Sequence, residues 1–243
     1  MIRRRLLVLV ATLVVIAVVA DRLAVSAAQQ AVSVRARQAA LLASDPSVSI
    51  RGFPFLTQAL GGRYQQIDVT THGIRRGGVR LDTVSARFFG VHVSLSAALA
   101  GRVASVPIDR SEGSLLVTYA DLNASLAKRR VSLSQVGGKL RVSGDPRVSG
   151  QRVSVTGDAT VNVSAGVLSV TPVANSLHVA SIAFPGPVAQ LIAALLTVSV
   201  NTGALPFGLR LTGVQVEPAG LIVSAVAAGL VIPVPADASR STG

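Results

Sequence analysis

Histidine is the side chain most often used for proton transfer near neutral pH, and this chain of 243 residues contains three. His72, His92 and His178 are far apart, and His92 alternates with Val91 and Val93 as a residue on the polar side of a strand does. Neither a G-x-S-x-G nucleophile elbow nor an H-E-x-x-H zinc helix occurs. Because triads assemble from residues at any spacing, a hydrolase acting on lipids stays a third, weaker hypothesis that needs a histidine beside a serine. We expect the chain not to be an enzyme.

The chain also lacks the residues that a metal site or a phosphate-binding loop requires. The chain has no cysteine, its histidines are dispersed, and its acids are mostly isolated. Asp109 with Glu112 is more typical of a turn than of a metal site, and Gly137-Gly138-Lys139 lacks the rest of a P-loop. We therefore expect no cofactor. Without disulfides, stability has to come from burial.

The phenylalanines form clusters in a chain with 6 Phe, 2 Tyr and no Trp. Phe53-Pro54-Phe55, Phe184-Pro185 and Pro206-Phe207 combine Phe with proline, and Phe88 and Phe89 are adjacent. Proline fixes its own φ and makes the preceding residue extended, so these segments are stiff and fix where their rings point. If the three Phe-Pro segments are neighbouring loops, the rings gather at one open end of the protein. The alternative is that each ring packs inward, and the sequence leaves both open.

The charge balance argues against nucleic acid as a partner. The formal net charge is +12, from 23 Lys plus Arg against 11 Asp plus Glu, but the basic residues are scattered and no aromatic stacking residues lie between them. Apolar residues make up 50% and charged residues 14%, against about 25% charged residues in typical globular proteins. An anionic phospholipid surface suits this composition better.

The N-terminal segment, residues 1–28, is predicted to be a signal peptide or a membrane anchor. Basic residues at 3–5 precede an unbroken apolar run at 6–20, and "AVSAAQQ" at 24–30 offers small residues for cleavage. The run is short for an anchor, so the sequence leaves cleavage open. In either case the basic residues keep the N-terminus inside, and the remainder is exported to the outer face of the plasma membrane.

The rest of the chain is predicted to be α+β. Leu23, Ala27, Val34 and Leu41 indicate an amphipathic helix over about 22–43. Period-two alternation then predicts strands at 48–50, 67–69, 91–95, 131–133, 140–142, 153–155, 161–163, 168–170, 209–211 and 214–216. Turn residues lie at 75–79, 135–140, 143–148, 155–160, 162–168 and 217–221. Two further helices are predicted, at 119–129 and 187–200, the second apolar nearly all round.

The apolar face of such a sheet has to be covered, and two solutions are open. One is an ordinary two-layer α+β core. The other is a long, curved sheet wrapped around a helix, with an apolar groove that a lipid tail fills. The first solution suits an envelope scaffold or adaptor that works through protein contacts, and the second suits a lipid carrier.

Three stretches resemble a known family. "VSIRGFPFLTQALGGRYQQIDVT" (48–70), "GVRLDTVSARFFGVHV" (78–93) and "LPFGLRLTGVQVEPAGLIVSAVAAGLVIP" (205–233) are similar to the actinobacterial LmeA-like proteins, and the resemblance covers about 25–233. It implies a phospholipid-binding protein of the cell envelope, associated with phosphatidylinositol-type lipids and with assembly of mannosylated glycolipids and the proteins that carry it out. It also implies a fold similar to tubular lipid-binding domains, in which a long curved antiparallel sheet wraps a long N-terminal helix.

These expectations define the domains and the candidate site. We expect one lipid-binding domain over 29–235 and a disordered tail at 236–243. The residues expected to contact lipid are apolar side chains of the Phe-Pro segments and of the second apolar helix: Phe53, Phe55, Leu56, Phe184, Phe207, Leu191 and Leu195. Arg51 and Arg63 flank the first segment and are candidates for binding the phosphate of a headgroup, with surface solvation as the alternative.

Overall fold

The computed structural model describes residues 2–40, 42–76, 79–148, 150–164, 167–179, 182–183, 185–201 and 210–234. Phe184, Phe207, Leu41 and the expected tail at 236–243 lie outside these residues. The helices are α1 (Ile2–Ala40), α2 (Phe55–Gly61), α3 (Leu95–Leu99), α4 (Tyr119–Leu126) and α5 (Gly186–Leu196). The strands are β1 (Ser47–Arg51), β2 (Arg63–Arg76), β3 (Val79–His92), β4 (Ser105–Thr118), β5 (Val131–Val136), β6 (Lys139–Gly144), β7 (Arg147–Val148), β8 (Gln151–Arg152), β9 (Val155–Ser164), β10 (Val167–Pro172), β11 (His178–Val179), β12 (Ile182–Ala183), β13 (Val198–Asn201), β14 (Arg210–Glu217) and β15 (Gly220–Pro233).

The strands form two larger sheets and one small hairpin. The first sheet has six strands in the order β1-β2-β3-β4-β15-β14. The second has seven strands: β12-β11-β9-β10-β13 in order, with β6 on β9 and β5 on β6. β7 pairs with β8 as a two-stranded hairpin. Consecutive strands joined by tight turns pair antiparallel, as β5 with β6 and β14 with β15 do. The mixed α+β class with a long N-terminal helix and antiparallel sheets is thereby confirmed.

The tubular arrangement predicted from the resemblance is not what the described residues show. There are two sheets instead of one long sheet, and neither is curled or closed. Helix α1 packs against β1 and α2 at one core of the first sheet. The apolar faces of the strands are covered locally, by α1 and α2 in one core and by α4 and α5 in another.

The chain divides into two compact units. Unit 1 comprises Met1–Thr71, Ser85–Ser111 and Ala228–Gly243, and unit 2 comprises His72–Val84 and Glu112–Ala227. The core of unit 1 contains Val25, Ile50, Phe55, Ala59, Tyr64, Val91, Ile108 and Leu230. The core of unit 2 contains Val131, Leu133, Leu140, Val142, Val155, Ala159, Val170, Leu177, Ile192, Ala193, Leu196, Val198 and Leu221. The single domain expected over 29–235 stays a prediction.

Helix α1 is continuous through the predicted signal segment, and it buries a different face from the one predicted. Asp21 and Val25 are its buried residues among those described, and Ala24 and Ala28 pack against the same core. Leu23 and Val34, predicted to form the inner stripe, are exposed. The prediction failed because it chose the most apolar face, whereas the buried face has small residues that let β1 and α2 approach closely.

Three element predictions were also wrong. The second apolar helix ends at Leu196, because Val198–Asn201 pairs with β10 as strand β13. The turn expected at 155–160 lies inside β9, where a Cβ on Gly157 would be 2.7 Å from Leu177 Cδ2 and 3.0 Å from the Ser176 carbonyl oxygen. Leu95 begins α3 instead of ending a strand. Gly157 is therefore needed for close packing and not for a turn.

Candidate functional site

The segment at 50–62 is fixed by the side chain of Gln58, which is buried. Gln58 Nε2 donates to the carbonyl oxygens of Arg51 (3.3 Å) and Pro54 (3.5 Å), and its Oε1 accepts from the Gln65 backbone N–H (2.9 Å). Gly52 has φ +98°, and a Cβ there would lie 2.6 Å from Gln58 Nε2. The stiff geometry predicted from proline is therefore completed by a glycine and a glutamine.

The two rings of this segment face different environments. Phe55 is 6% exposed and lies in the core of unit 1, where its ring centroid is 6.0 Å from that of Tyr64. Phe53 is 61% exposed. The inward-packing alternative thus describes the position of Phe55, and Phe53 has the surface position that a membrane contact requires.

Exposed apolar side chains also lie on helix α2, which begins two residues after Phe53. Helix α2 places Leu56 and Leu60 four residues apart, hence on one face, and both are exposed, Leu60 to 78%. We call Phe53, Leu56 and Leu60 the Phe53 surface. Leu60 was not among the residues predicted from the sequence, although its spacing from Leu56 was a usable signal.

Helix α1 holds this surface in place through Asp21, which is 2% exposed. An Asp21 carboxylate oxygen accepts from the Leu56 backbone N–H (2.8 Å), and Arg22 Nη2 lies 2.6 Å from Asp21 Oδ2. The Arg22 guanidinium also stacks over the Phe53 ring, 5.1 Å from its centroid. The N-cap residue of α2 is Pro54, whose side chain caps nothing, so a carboxylate from another helix performs this capping. Asp21 was not among the site residues predicted from the sequence.

The two candidate headgroup arginines both bind carboxylates. Arg51 Nε lies 2.9 Å from Asp68 Oδ2, and Arg63 Nη2 lies 2.8 Å from Asp109 Oδ2. His92 Nε2 hydrogen-bonds the other oxygen of Asp109 at 2.9 Å. The hydrogen bonds from Arg63 and His92 hold the pKa of the Asp109 carboxyl below its ordinary value. A guanidinium has five N–H donors, so each arginine keeps donors for a phosphate.

In unit 2, helix α5 is apolar on two opposite faces. Ala189, Ile192, Ala193 and Leu196 are buried in the core. Leu191 and Leu195 are 59% and 54% exposed, and Val188 is exposed on the same side. We call Val188, Leu191 and Leu195 the α5 surface. Only the inner face is needed for packing, so the outer face is a candidate contact for lipid.

Unit 2 also has a basic surface that the sequence analysis did not identify. Lys128 and Arg129 end the turn after α4, and Arg130 follows with φ 56°. The Arg130 carbonyl oxygen accepts from the Asp145 N–H at 3.4 Å, which brings this turn beside the β7–β8 hairpin. Arg147 and Arg152 pair directly across that hairpin. All five basic side chains are exposed, and none has an ion pair within the described ranges.

The described residues contain no catalytic arrangement. His72 Nδ1 hydrogen-bonds the Thr83 hydroxyl (3.1 Å), His92 bonds Asp109, and His178 Nδ1 bonds the Ser176 carbonyl oxygen (2.8 Å). None of these contacts is with a serine hydroxyl. Among the described residues, no group of three or more His, Cys, Asp or Glu side chains is placed to hold a metal ion.

Two depressions on the described surface are lined only by α1. One is bordered by Arg4, Arg5, Val8, Leu9, Thr12 and Leu13, and the other by Ala27, Gln30, Ala31, Val34, Arg35 and Gln38. A lipid carrier is expected to have a channel lined by sheet residues, and neither depression is such a channel. The surfaces described above are therefore the candidate sites.

Exposed apolar and basic surfaces are typical of a binding protein. The chain belongs to the LmeA-like phospholipid-binding family, whose match covers residues 19–226. Comparison with curated proteins and with solved structures found no match. The family resemblance inferred from the GFPF segment is thereby confirmed, and the family is one of lipid-binding proteins, not of enzymes.

Proposed function

We propose that this protein is exported and binds phospholipid at the outer face of the plasma membrane, with the Phe53 surface in contact with the bilayer. The observation that carries the proposal is the exposure of Phe53, Leu56 and Leu60 beside the end of the apolar run of α1. Ala17 and Val18 lie one turn before Asp21 on the same face of α1, so the Phe53 surface lies next to the last apolar turn.

Burial in a bilayer would stabilise this contact. A fully buried Leu or Phe side chain contributes about 1.5–3 kcal/mol, so three such residues are enough to hold α2 against the acyl chains. Leaving them in water would instead expose a contiguous apolar group next to a helix that already enters the membrane. Unit 1 therefore gains more from the bilayer than from solvent.

In unit 2, taken by itself, the α5 surface is proposed to contact the acyl chains of a phospholipid. Leu191 and Leu195 offer an apolar strip on a helix whose other face is fixed in the core of unit 2. Phe55 is proposed to support the Phe53 segment from inside the core. Phe184 and Phe207 remain predicted lipid contacts, since they lie outside the described residues.

In unit 1, Arg51 and Arg63 are proposed to bind the headgroup of a phospholipid of the bilayer that the Phe53 surface contacts, a lipid of the phosphatidylinositol type. Their exposed guanidinium groups, each with one carboxylate partner, support phosphate binding. A role in assembling mannosylated envelope glycolipids, together with the proteins that carry it out, follows from the resemblance and belongs to the same proposal.

The alternative is an envelope scaffold that carries no lipid. Two separate cores and surface depressions lined only by α1 favour this alternative over a carrier with an internal channel. The exposed Phe53 and α5 surfaces favour lipid, because a scaffold needs neither of them to face a bilayer.

The test is native mass spectrometry of the full chain extracted from the membranes of an exporting bacterial host, with identification of the bound lipids. We expect a stoichiometric phospholipid that is retained in Leu99→Gln and lost in the Leu191→Gln/Leu195→Gln variant. Leu99 is a suitable control because it is an exposed leucine on α3, outside both surfaces. A chain free of lipid, unchanged after incubation with phosphatidylinositol vesicles, would favour the scaffold.

A further inference from the structure

We propose that α1 is a permanent membrane anchor and an integral part of unit 1, and that the small-residue segment at 24–30 is not a cleavage site. The sequence leaves this choice open, because the apolar run and the residues after it fit a signal peptide and an anchor equally well. The contacts that α1 makes after residue 20 distinguish the two. This inference does not depend on the identity of the lipid or on whether one is bound.

The first contact is the capping of α2 by Asp21. Its carboxylate is buried and accepts from the Leu56 N–H at 2.8 Å. Cleavage within 24–30 would remove this acceptor together with Arg22, which stacks on Phe53. The N-terminus of α2 would then have no side-chain acceptor, because Pro54 provides none.

The second contact is hydrophobic and lies inside the predicted cleavage segment. Val25 is a buried residue of the unit 1 core, and Ala24 and Ala28 pack against that core. A cut after Ala28 would leave Ile50 and Phe55 open on the side that α1 covers. If this segment were a signal peptide, its removal would take buried side chains out of the core of the remaining domain, which destabilises a fold.

Polar contacts continue along the same face of the helix. Gln29 Oε1 accepts from the Ile50 N–H at 2.9 Å, on β1, and the Ser33 hydroxyl donates to the Pro46 carbonyl oxygen at 2.5 Å. Contacts at 21, 25, 28, 29 and 33 follow the helical repeat. The buried face thus crosses the segment at 24–30 without interruption.

The short apolar run is also accounted for. Fifteen residues at 6–20 extend over about 22 Å as a helix, less than the roughly 30 Å hydrocarbon core of a bilayer. The membrane-embedded part of a helix normally ends at a charged residue such as Asp21. Here the Asp21 carboxylate is covered by α2. At that level lipid meets Phe53 and Leu56, so the Phe53 surface extends the apolar length of the anchor.

The deciding experiment is intact-mass measurement of the full chain after export in a bacterial host, from membranes washed with alkaline carbonate. We expect a mass that includes α1, lacking at most the initiator methionine, and protein retained in the washed membranes. A mature N-terminus within 25–31 would overturn the proposal, as would release of the protein into the carbonate supernatant.

A second measurement tests whether α1 is part of unit 1 and not merely attached to it. We expect Asp21→Ala, in detergent micelles, to lower the unfolding temperature of the full chain, and Ser26→Ala, at an exposed position of α1, to leave it unchanged. Equal unfolding temperatures for Asp21→Ala and the wild type would overturn the structural role, even if the segment is retained.

Discussion

Gly52 illustrates how a single residue fixes the Phe53 segment. Its φ of +98° is unfavourable for any residue with a Cβ, and a Cβ would in addition lie 2.6 Å from the Gln58 amide nitrogen. That amide nitrogen is the donor to Arg51 and Pro54, so a displaced Gln58 releases both carbonyl groups. The orientation of Phe53 therefore depends on a residue that is not part of the Phe53 surface.

We expect Gly52→Ala to destabilise the protein by more than Gly137→Ala. Gly137 has φ +59° in the β5–β6 turn, and nothing lies within 4 Å of a Cβ there, so its substitution carries only the backbone cost of about 1–2 kcal/mol. Gly52→Ala adds the displacement of Gln58. Chemical denaturation of both variants measures the difference, and equal losses of stability would show that Gln58 moves aside freely.

The ion pairs of Asp109 predict a pH dependence. Because Arg63 and His92 lower the pKa of this carboxyl in the folded state, its contribution to stability is present above the unfolded-state value near 3.8. That contribution is lost as the pH falls through the lower folded-state value. Thermal unfolding followed from pH 6 to pH 3 should show a smaller loss of stability in Asp109→Asn than in the wild type.

The matched control for this experiment is Asp145→Asn, an exposed acid for which no ion pair occurs among the described residues. It should follow the wild-type curve. If Asp109→Asn follows that curve as well, the pairs with Arg63 and His92 do not stabilise the fold.

At the level of elements, α5 has one face that packs in the core and an opposite face that is a candidate for binding lipid. Ile192 is fully buried, so Ile192→Ala should destabilise the protein by about 2–5 kcal/mol through the cavity that it leaves. Leu191→Ala, one residue earlier and largely exposed, should change stability by less than about 1 kcal/mol. Denaturant unfolding compares the two variants, and a large loss for Leu191→Ala would mean that this side of α5 is also covered.

Alternation of apolar and polar residues predicted strands well where one face is buried and the other is wet. β5, β6 and β10 were found from this pattern. β4 and β15 were missed, because charged residues interrupt the apolar face of β4 and alanines weaken the contrast in β15. The short α2 and α3 were also missed, since helices of 7 and 5 residues contain too few turns for a period to be detected.

The candidate site was only partly readable from the sequence. The GFPF segment showed that the rings of Phe53 and Phe55 are held stiffly, but which ring faces outward depends on where Tyr64 and Gln58 lie in three dimensions. The role of Asp21 was invisible for the same reason, because its partner Leu56 is 35 residues away. Sequence periodicity reports on one element at a time and not on such distant pairs.

For the whole molecule, the net charge of +12 predicts attraction to anionic membranes. We expect this attraction to act at the basic surface of unit 2. Arg147 and Arg152 are directly opposed in a hairpin, where like charges destabilise each other unless an anion lies between them. Each basic residue near an anionic bilayer contributes about 1 kcal/mol. Replacing both with glutamine should therefore weaken binding to anionic vesicles by about tenfold or more.

The measurement is co-flotation of the full chain, held in neutral nanodiscs, with vesicles containing phosphatidylglycerol. The matched control is the Arg75→Gln/Arg80→Gln variant, which removes the same charge from exposed positions of β2 and β3. Equal weakening in the two variants would assign the effect to net charge alone, and added salt should weaken wild-type binding in either case.

Composition predicted the mixed α+β class of the fold. It did not predict that the strands form two larger sheets. A chain with 50% apolar residues and short apolar helices is able to cover one long sheet or two shorter ones. The choice depends on which strands pair at a distance, as β4 does with β15, and the alternation within each strand is the same in both cases.

The hydrogen bond between Asp21 and Leu56 also makes α1 a lever. If α1 is anchored in the bilayer as proposed above, this rigid helix, joined to α2 at its other end, would transmit its tilt to the segment carrying Phe53. Helix tilt responds to bilayer thickness, because an apolar stretch adjusts its angle to match the hydrocarbon core. For the anchored protein proposed above, the depth and orientation of Phe53 would therefore be coupled to the thickness of the membrane.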